Sequence, residues 1–289
     1  MTTGPLEEHF RAHRRYLLGV AYRLLGSVTE ADDALQEAWL RTRDADLDGV
    51  RDVRSWLTVI VTRICLDVLK SSRVQRERYI GEWLPEPIVD GADPADPADR
   101  VSLDDSVSLA LLVVLERLSP AERTAFVLHE VFGLPFDTIA EAVGRSPAAC
   151  RQLASRARRH VEADAPRFDA DRDEHRRVVD AFANAAARGH LQDLLEVLDP
   201  DVVLRSDGGG KVPARREPLV SAPAVAALVL GIMRLRPGTR FRVATVNGAP
   251  GLLTYENGRL TGVVAFAVAA GRITELQLLM NPDKLQHVG

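Results

Sequence analysis

Two cysteines, Cys65 and Cys150, are all that the 289 residues contain. Both fall inside helical patterns, so a disulfide framework is excluded and a reducing, cytoplasmic setting fits. Long apolar runs are also missing. The opening stretch MTTGPLEEHFRAHRRYLLGV has no apolar core long enough for a signal peptide, and the remaining runs are too short to span a membrane. A strong charge of either sign is absent too: the net charge is −4, which argues against a protein that coats nucleic acid indiscriminately. Length predicts two or three domains, and a hydrophobic content of 46% is that of an ordinary globular chain.

One local absence organises what is present. Between Arg145 and Val161 there is no acid, but there are five arginines. The stretch FDTIAEAVGRSPAACRQLASRARRHV (136–161) reads as two short helices joined by a tight turn. Ile139, Ala140 and Val143 give the first helix an apolar face. Gly144 suits a sharp turn, Ser146 an N-cap and Pro147 the first helical position. The spacing of Ala140, Gly144, Cys150 and Leu153 is that of a helix-turn-helix. Ser146, Arg151, Gln152, Ser155, Arg156 and Arg159 then form the face expected to meet a major groove and its phosphates. The alternative is a basic face that is merely solvated.

Upstream, Leu6 to Leu25 carries helical periodicity and ends at Gly26, and Ser27 with Glu30 fits a capping box. The next helix, to Arg43, buries Ala31, Ala34, Leu35 and Ala38 with Trp39. Asp32, Asp33, Gln36, Glu37 and Arg41 lie on or near its other face. After a polar loop, a helix from Val53 to about Val74 has the core stripe Leu57, Ile60, Val61, Ile64 and Val68. Arg51, Arg54, Ser55, Trp56, Thr58, Thr62 and Arg63 offer guanidinium, hydroxyl and indole groups able to hold phosphates and stack on unpaired bases. For Trp56 a plain core position is the competing reading.

The runs TEADDALQEAWLR (29–41) and RSWLTVIVTRICLDVLK (54–70) resemble region 2 of bacterial sigma factors of the extracytoplasmic-function group, and 136–161 resembles region 4.2. The resemblance implies that Asp32, Asp33, Gln36, Glu37, Trp39 and Arg41 dock on the β′ clamp helices of core RNA polymerase. It implies that the Arg51–Arg63 set captures the −10 promoter element, and that the Ser146 helix reads the −35 element.

Four prolines between Arg78 and Asp105 exclude a continuous helix there, and 86–105 holds seven acids against one arginine, a tract usually no more than a solvated linker. Trp83-Leu84-Pro85-Glu86-Pro87 exposes an apolar cluster that solubility does not explain. A helix is then expected from Leu103 to Leu118, and Ser119-Pro120-Ala121-Glu122 opens another.

More than a hundred residues follow the region-4 resemblance. Helices at 174–188, 191–198 and 222–235 precede and interleave with strands at 202–205, 240–246, 252–255, 259–268 and 273–279. Asn247-Gly248, Asn257-Gly258 and Ala270-Gly271 mark hairpins. Helices followed by a curved antiparallel sheet make an α+β cone, similar to the SnoaL-like branch of the NTF2-like superfamily. WLPEP, Asp207-Gly208-Gly209-Gly210-Lys211 and Asn281-Pro282-Asp283-Lys284-Leu285 resemble signatures of sigma-J-type factors with a fused domain of this kind. That resemblance implies a regulatory contact through Trp83, Leu84, Pro85, residues 207–211 and residues 281–284. From the residues alone, DGGGK is expected to be a flexible hairpin tip, and NPDKL a turn leading the tail off the sheet.

The expected organisation is therefore two all-α domains, 1–78 (region 2) and 103–165 (region 4), joined by the acidic, proline-rich 79–102, and an α+β domain at 172–289. The expected partners are core RNA polymerase and promoter DNA, with no membrane, cofactor or metal; a small-molecule or protein regulator of the last domain is left open. No enzymatic activity is expected. The alternative is a helix-turn-helix regulator whose cone binds a ligand or acts as an isomerase. Asp199, Asp201, Asp207 and Tyr255 are the raw material for such a site.

Overall fold

A computed structural model describes residues 5–76, 79–90, 108–164 and 171–288. The described residues fall into two compact units. The first holds residues 5–76 and 114–164; the second holds residues 79–90, 108–113 and everything from 171 onward.

In the first unit α1 (Pro5–Leu25), α2 (Val28–Thr42) and α3 (Val53–Arg76) pack on one another. Their buried stripes are Leu17, Ala21 and Leu24; Ala31, Leu35 and Ala38; and Leu57, Val61 and Ile64. Ser27 caps α2 by accepting from the Glu30 N–H at 3.0 Å. Beyond the short α4 (Leu109–Leu115), α5 (Pro120–Phe126) starts in a full capping box. Ser119 and Glu122 bond each other's backbone N–H groups there, worth about 1 kcal/mol. α5 continues into one π-helical turn at Val127–Val131. α6 (Phe136–Val143) ends at Gly144, whose φ of 71° closes the turn into α7 (Pro147–Asp164).

The second unit starts its ordered domain with α8 (Arg172–Arg188), capped by Asp171, and α9 (Leu191–Val197). β1 (Leu198–Asp207), β2 (Leu219–Val220), α10 (Ala222–Leu235), β3 (Arg240–Val246), β4 (Ala249–Glu256), β5 (Arg259–Ala269) and β6 (Arg272–Leu279) follow. The sheet order is β2-β1-β6-β5-β4-β3, antiparallel except for the β1–β6 pair. Asn247-Gly248, Asn257-Gly258 and Ala270-Gly271 all sit at positive φ, the mirror-image turns that hairpins favour. Val179, Phe182, Val225, Leu252, Phe266 and Leu276 form the core between α8, α10 and one sheet face. β1 is longer than the 202–205 strand read from sequence, and β2 was not read at all. Two residues are too few to show a period.

Candidate nucleic-acid face and linker clasp

α7 presents Arg151, Gln152, Ser155, Arg156 and Arg159 along one exposed side, around a shallow depression of about 430 Å³. Cys150, Leu153, Ala154 and Ala157 are buried on the opposite side. Helical periodicity thus sorts this stretch into a core stripe and an arginine stripe. Ser146 accepts from the Ala149 N–H at 3.2 Å, so its hydroxyl is engaged as a cap. The Arg151 guanidinium lies 5.5 Å from the Phe136 ring centre, which holds it against the turn. Arg158 is already paired with Glu130 at 2.5 Å, and Arg156 lies 3.6 Å from Glu122.

Elsewhere in the first unit, Glu30, Asp33, Glu37 and Asp67 with Arg41 line a groove of about 550 Å³ between α2 and α3. Asp33 and Gln36 are exposed. Glu37 pairs with Arg41 at 2.7 Å. Asp32 pairs with Arg14 at 2.6 Å, and Trp39 packs edge-on against Phe10.

The set assigned from sequence to the −10 element divides. Arg51, Arg54 and Arg63 are exposed, and Ser55 and Trp56 are half-buried. Ser55 donates to Asp52 at 2.7 Å, which lowers the Asp52 carboxyl below its usual range. Arg54 lies over the Tyr16 ring, and Arg63 donates to the Glu141 carbonyl of α6 at 2.9 Å. Thr58 and Thr62 are corrected: both are buried, at 1% and 0% exposure. Thr58 bonds the Arg54 carbonyl one turn back at 2.7 Å. A short hydroxyl that bonds its own helix, as that of Thr58 does, lets a threonine beside the core stripe turn inward, whereas the buried Thr62 hydroxyl finds no hydrogen-bond partner among the described residues.

The second unit gathers the other singled-out residues around one buried carboxylate. Asp207, 0% exposed, accepts from the Tyr79 hydroxyl at 2.6 Å, the Leu84 N–H at 2.9 Å, the Gly209 N–H at 2.9 Å and the Lys284 ammonium at 2.8 Å. Lys284 also donates to the Leu84 carbonyl at 2.5 Å and sits 3.9 Å from the centre of the Trp83 ring. Asn281 donates to the Tyr79 oxygen at 2.9 Å. Burial, then the hydrogen bond to Asp207, pushes the Tyr79 phenol far above its ordinary pKa, so it stays a donor. Two expectations are corrected here. DGGGK is not a loose tip: a Cβ on Gly208 would come within 2.2 Å of the Val212 carbonyl oxygen, and one on Gly209 within 2.4 Å of Asn281. NPDKL does not lead the tail away. It forms a 3₁₀ turn over Pro282–Leu285 that returns Lys284 to the cluster. Lys211 and Asp283 pair at the exposed edge, 2.6 Å apart.

Sequence reasoning missed the rest of this clasp. Arg205 bridges Glu82 and Glu275 at 2.8 and 2.9 Å. Burial works against the Arg205 charge, yet the bonds to Glu82 and Glu275 raise its pKa overall. Ile88 and Asn247 exchange two bonds, at 2.8 and 3.0 Å, Val89 bridges to Val246 at the free edge of β3, and His287 reaches the Pro87 carbonyl at 2.8 Å. Leu84, Pro85, Glu86 and Pro87 are buried as a result. Of the residues considered for an isomerase, Asp207 is committed to the clasp and Tyr255 to Arg242, at 2.9 Å. Among the described residues there is no cluster able to hold a metal and no helix long and apolar enough to cross a membrane.

Comparison with known proteins agrees with this layout. The family models for sigma-70 region 2 and sigma-70 region 4 match residues 9–74 and 108–161. The probable ECF RNA polymerase sigma factor SigI of Mycobacterium tuberculosis is 42% identical over 97% of this chain and 95% of its own length. The ECF RNA polymerase sigma factor SigJ of the same organism is 41% identical over 95% of this chain and 91% of its own. The crystal structure of M. tuberculosis SigJ superposes with a TM-score of 0.79 at 38% identity, covering 97% of this chain and 98% of that one. With that identity sustained through both helical regions and the C-terminal cone, the chain belongs to the extracytoplasmic-function family of sigma-70 RNA polymerase sigma factors.

Proposed function

We propose that this chain binds core RNA polymerase and directs it to a specific class of promoters, with its own C-terminal domain setting how the two promoter contacts are made. The arginine side of α7 carries the reading. It is a second helix of a helix-turn-helix, its opposite side is fully used in packing, and Arg151, Gln152, Ser155 and Arg159 are aimed at solvent. Arginines in that position grip phosphates flanking a major groove, while Gln152 and Ser155 can reach base edges. The acidic groove of α2 and α3, centred on Asp33 and Glu37, supplies a separate surface for the β′ clamp helices. Arg51, Arg54, Ser55, Trp56 and Arg63 are left to engage the −10 strand. Thr58 and Thr62, buried beneath that face, are not part of the −10 contact in this reading.

In this reading the chain lends specificity to the polymerase and has no active site of its own. Residues 79–90 belong to the segment between the two promoter-binding parts, and the C-terminal domain clasps them through Asp207. Clasping a linker restricts the separation its ends can take, which is a means of selecting promoter spacing. The test is transcription from a genomic promoter library by core polymerase with and without the chain. Promoter-specific initiation only in its presence is the expected result. Specific DNA binding without polymerase, and no initiation with it, would instead make the chain a classical repressor or activator. Removing residues after 165 is expected to change the promoters used while leaving core binding intact.

A further inference from the structure

The cone of the second unit holds a half-open cavity of about 460 Å³, whose lining includes none of the clasp residues Tyr79, Leu84, Asp207, Asn281 or Lys284. α10 explains why it exists. Val225, Ala226 and Leu230 pack into the core, whereas Leu228, Val229, Ile232 and Met233, on the rest of the helix, line the cavity. Leu235, also on the lining, is 85% exposed. A helix that is apolar on every side is normally buried on every side. Here one side faces open space, opposite Phe182 and Phe241. The size falls within the range of small-molecule sites, and the wall has their usual make-up of apolar surface with a few polar groups.

Those polar groups select the ligand. The Thr254 and Thr261 hydroxyls lie 3.2 Å apart, and the Thr261 hydroxyl also donates to the Thr254 carbonyl at 3.1 Å. Glu256, the acid on the wall, is tied to Arg236 at 2.9 Å. Arg215 is exposed and makes no ion pair among the described residues, so it is a cation on the lining without a carboxylate partner. We propose that this cavity binds an amphipathic monoanion, with its apolar body against α10 and its carboxylate on Arg215. The wall that would hold the carboxylate is also the floor of the linker clasp. The Arg215 N–H donates to Ser206 at 2.9 Å, one residue before Asp207, and a Cβ on Gly81 of the linker would lie 3.4 Å from the Arg215 carbonyl oxygen. In this proposal occupancy is felt at residues 79–84, whose Gly81 lies beside the Arg215 backbone. Binding itself is independent of what the first unit does.

The experiment is calorimetric titration of the full chain with decanoate and with decanol, which shares the body and lacks the charge. Saturable one-to-one decanoate binding is expected, abolished by Leu228→Trp and by the milder Ile232→Phe, either of which fills the void. Arg215→Gln is expected to weaken decanoate about tenfold and leave decanol unchanged. Decanoate should also alter hydrogen exchange at the backbone amides of residues 79–84. The proposal is overturned by absence of saturable decanoate binding, by equal binding to the filled variants, or by an Arg215→Gln effect that is the same for both ligands. Unaltered exchange at 79–84 despite binding would overturn the link to the linker.

Discussion

α7 and the Asp207 clasp are both rich in charge and treat it in opposite ways. On α7, Arg151, Arg156 and Arg159 stand in solvent. In the clasp, Lys284 and Asp207 are 8% and 0% exposed and find each other at 2.8 Å. Removing a charge from water is costly unless a partner and hydrogen bonds are waiting for it. The clasp charges are buried because the same chain supplies their partners. The α7 charges stay in water because this unit does not supply enough of them. Arginines left in water on a helix whose other side is packed are available to a partner outside the chain, which is the role proposed for them.

The largest blow to that contrast is Asp207→Ala. It strands a buried ammonium and three other donors, and is expected to cost the C-terminal unit about 3–5 kcal/mol, read as a shift in the urea midpoint at constant slope. An unchanged midpoint would mean the clasp is not a stabilising unit. Asp207→Asn, which keeps acceptor capacity on one oxygen, is expected to cost less. Next comes the exposed side. Arg151→Ala and Arg159→Ala are each expected to lower −35 DNA affinity and to flatten the plot of log affinity against log salt by about 0.9. Unaltered slopes would remove the phosphate role while sparing the fold. Ser119→Ala tests the first unit without touching either site. Loss of the capping box is expected to cost about 1 kcal/mol, with DNA affinity unchanged once the protein is folded.

The smallest effect is one of pH. His175 is buried, and that burial, only partly offset by its bond to the Pro250 carbonyl, lowers its pKa below the usual 6.5. Above 6.5 both folded and unfolded histidine are neutral and its contribution is complete. As the pH falls through 6.5 the unfolded state takes up the proton first, and stability is lost down to the folded pKa. Urea unfolding from about pH 8 to about pH 5 is expected to show this decline, and His175→Gln to flatten it.

Much of the molecule was legible before folding because it is written at short range. Ser119 with Glu122, Gly144 before Ser146-Pro147, and three hairpin dipeptides each state a local backbone geometry, and each occurs as stated. The α7 stripe was equally legible, since a period of 3.6 puts Arg151, Ser155 and Arg159 on one side whatever else the chain does. Thr58 and Thr62 misled because a hydroxyl at the edge of a core stripe can turn either way. The inward choice depended on the neighbouring helices.

The clasp lay beyond such reasoning. Tyr79 and Asp207 are 128 residues apart, and Asp207 and Lys284 are 77 apart. Arg205, Glu82 and Glu275 carry no pattern that would have joined them. By itself the sequence determined the helices, their caps, the hairpins and the arginine side of α7, because each depends on neighbours a few bonds away. Only the tertiary structure decided which charges are buried together, why three glycines follow Asp207, and that α10 leaves a void. Those outcomes depend on which distant surfaces meet, and no local energy term contains that information.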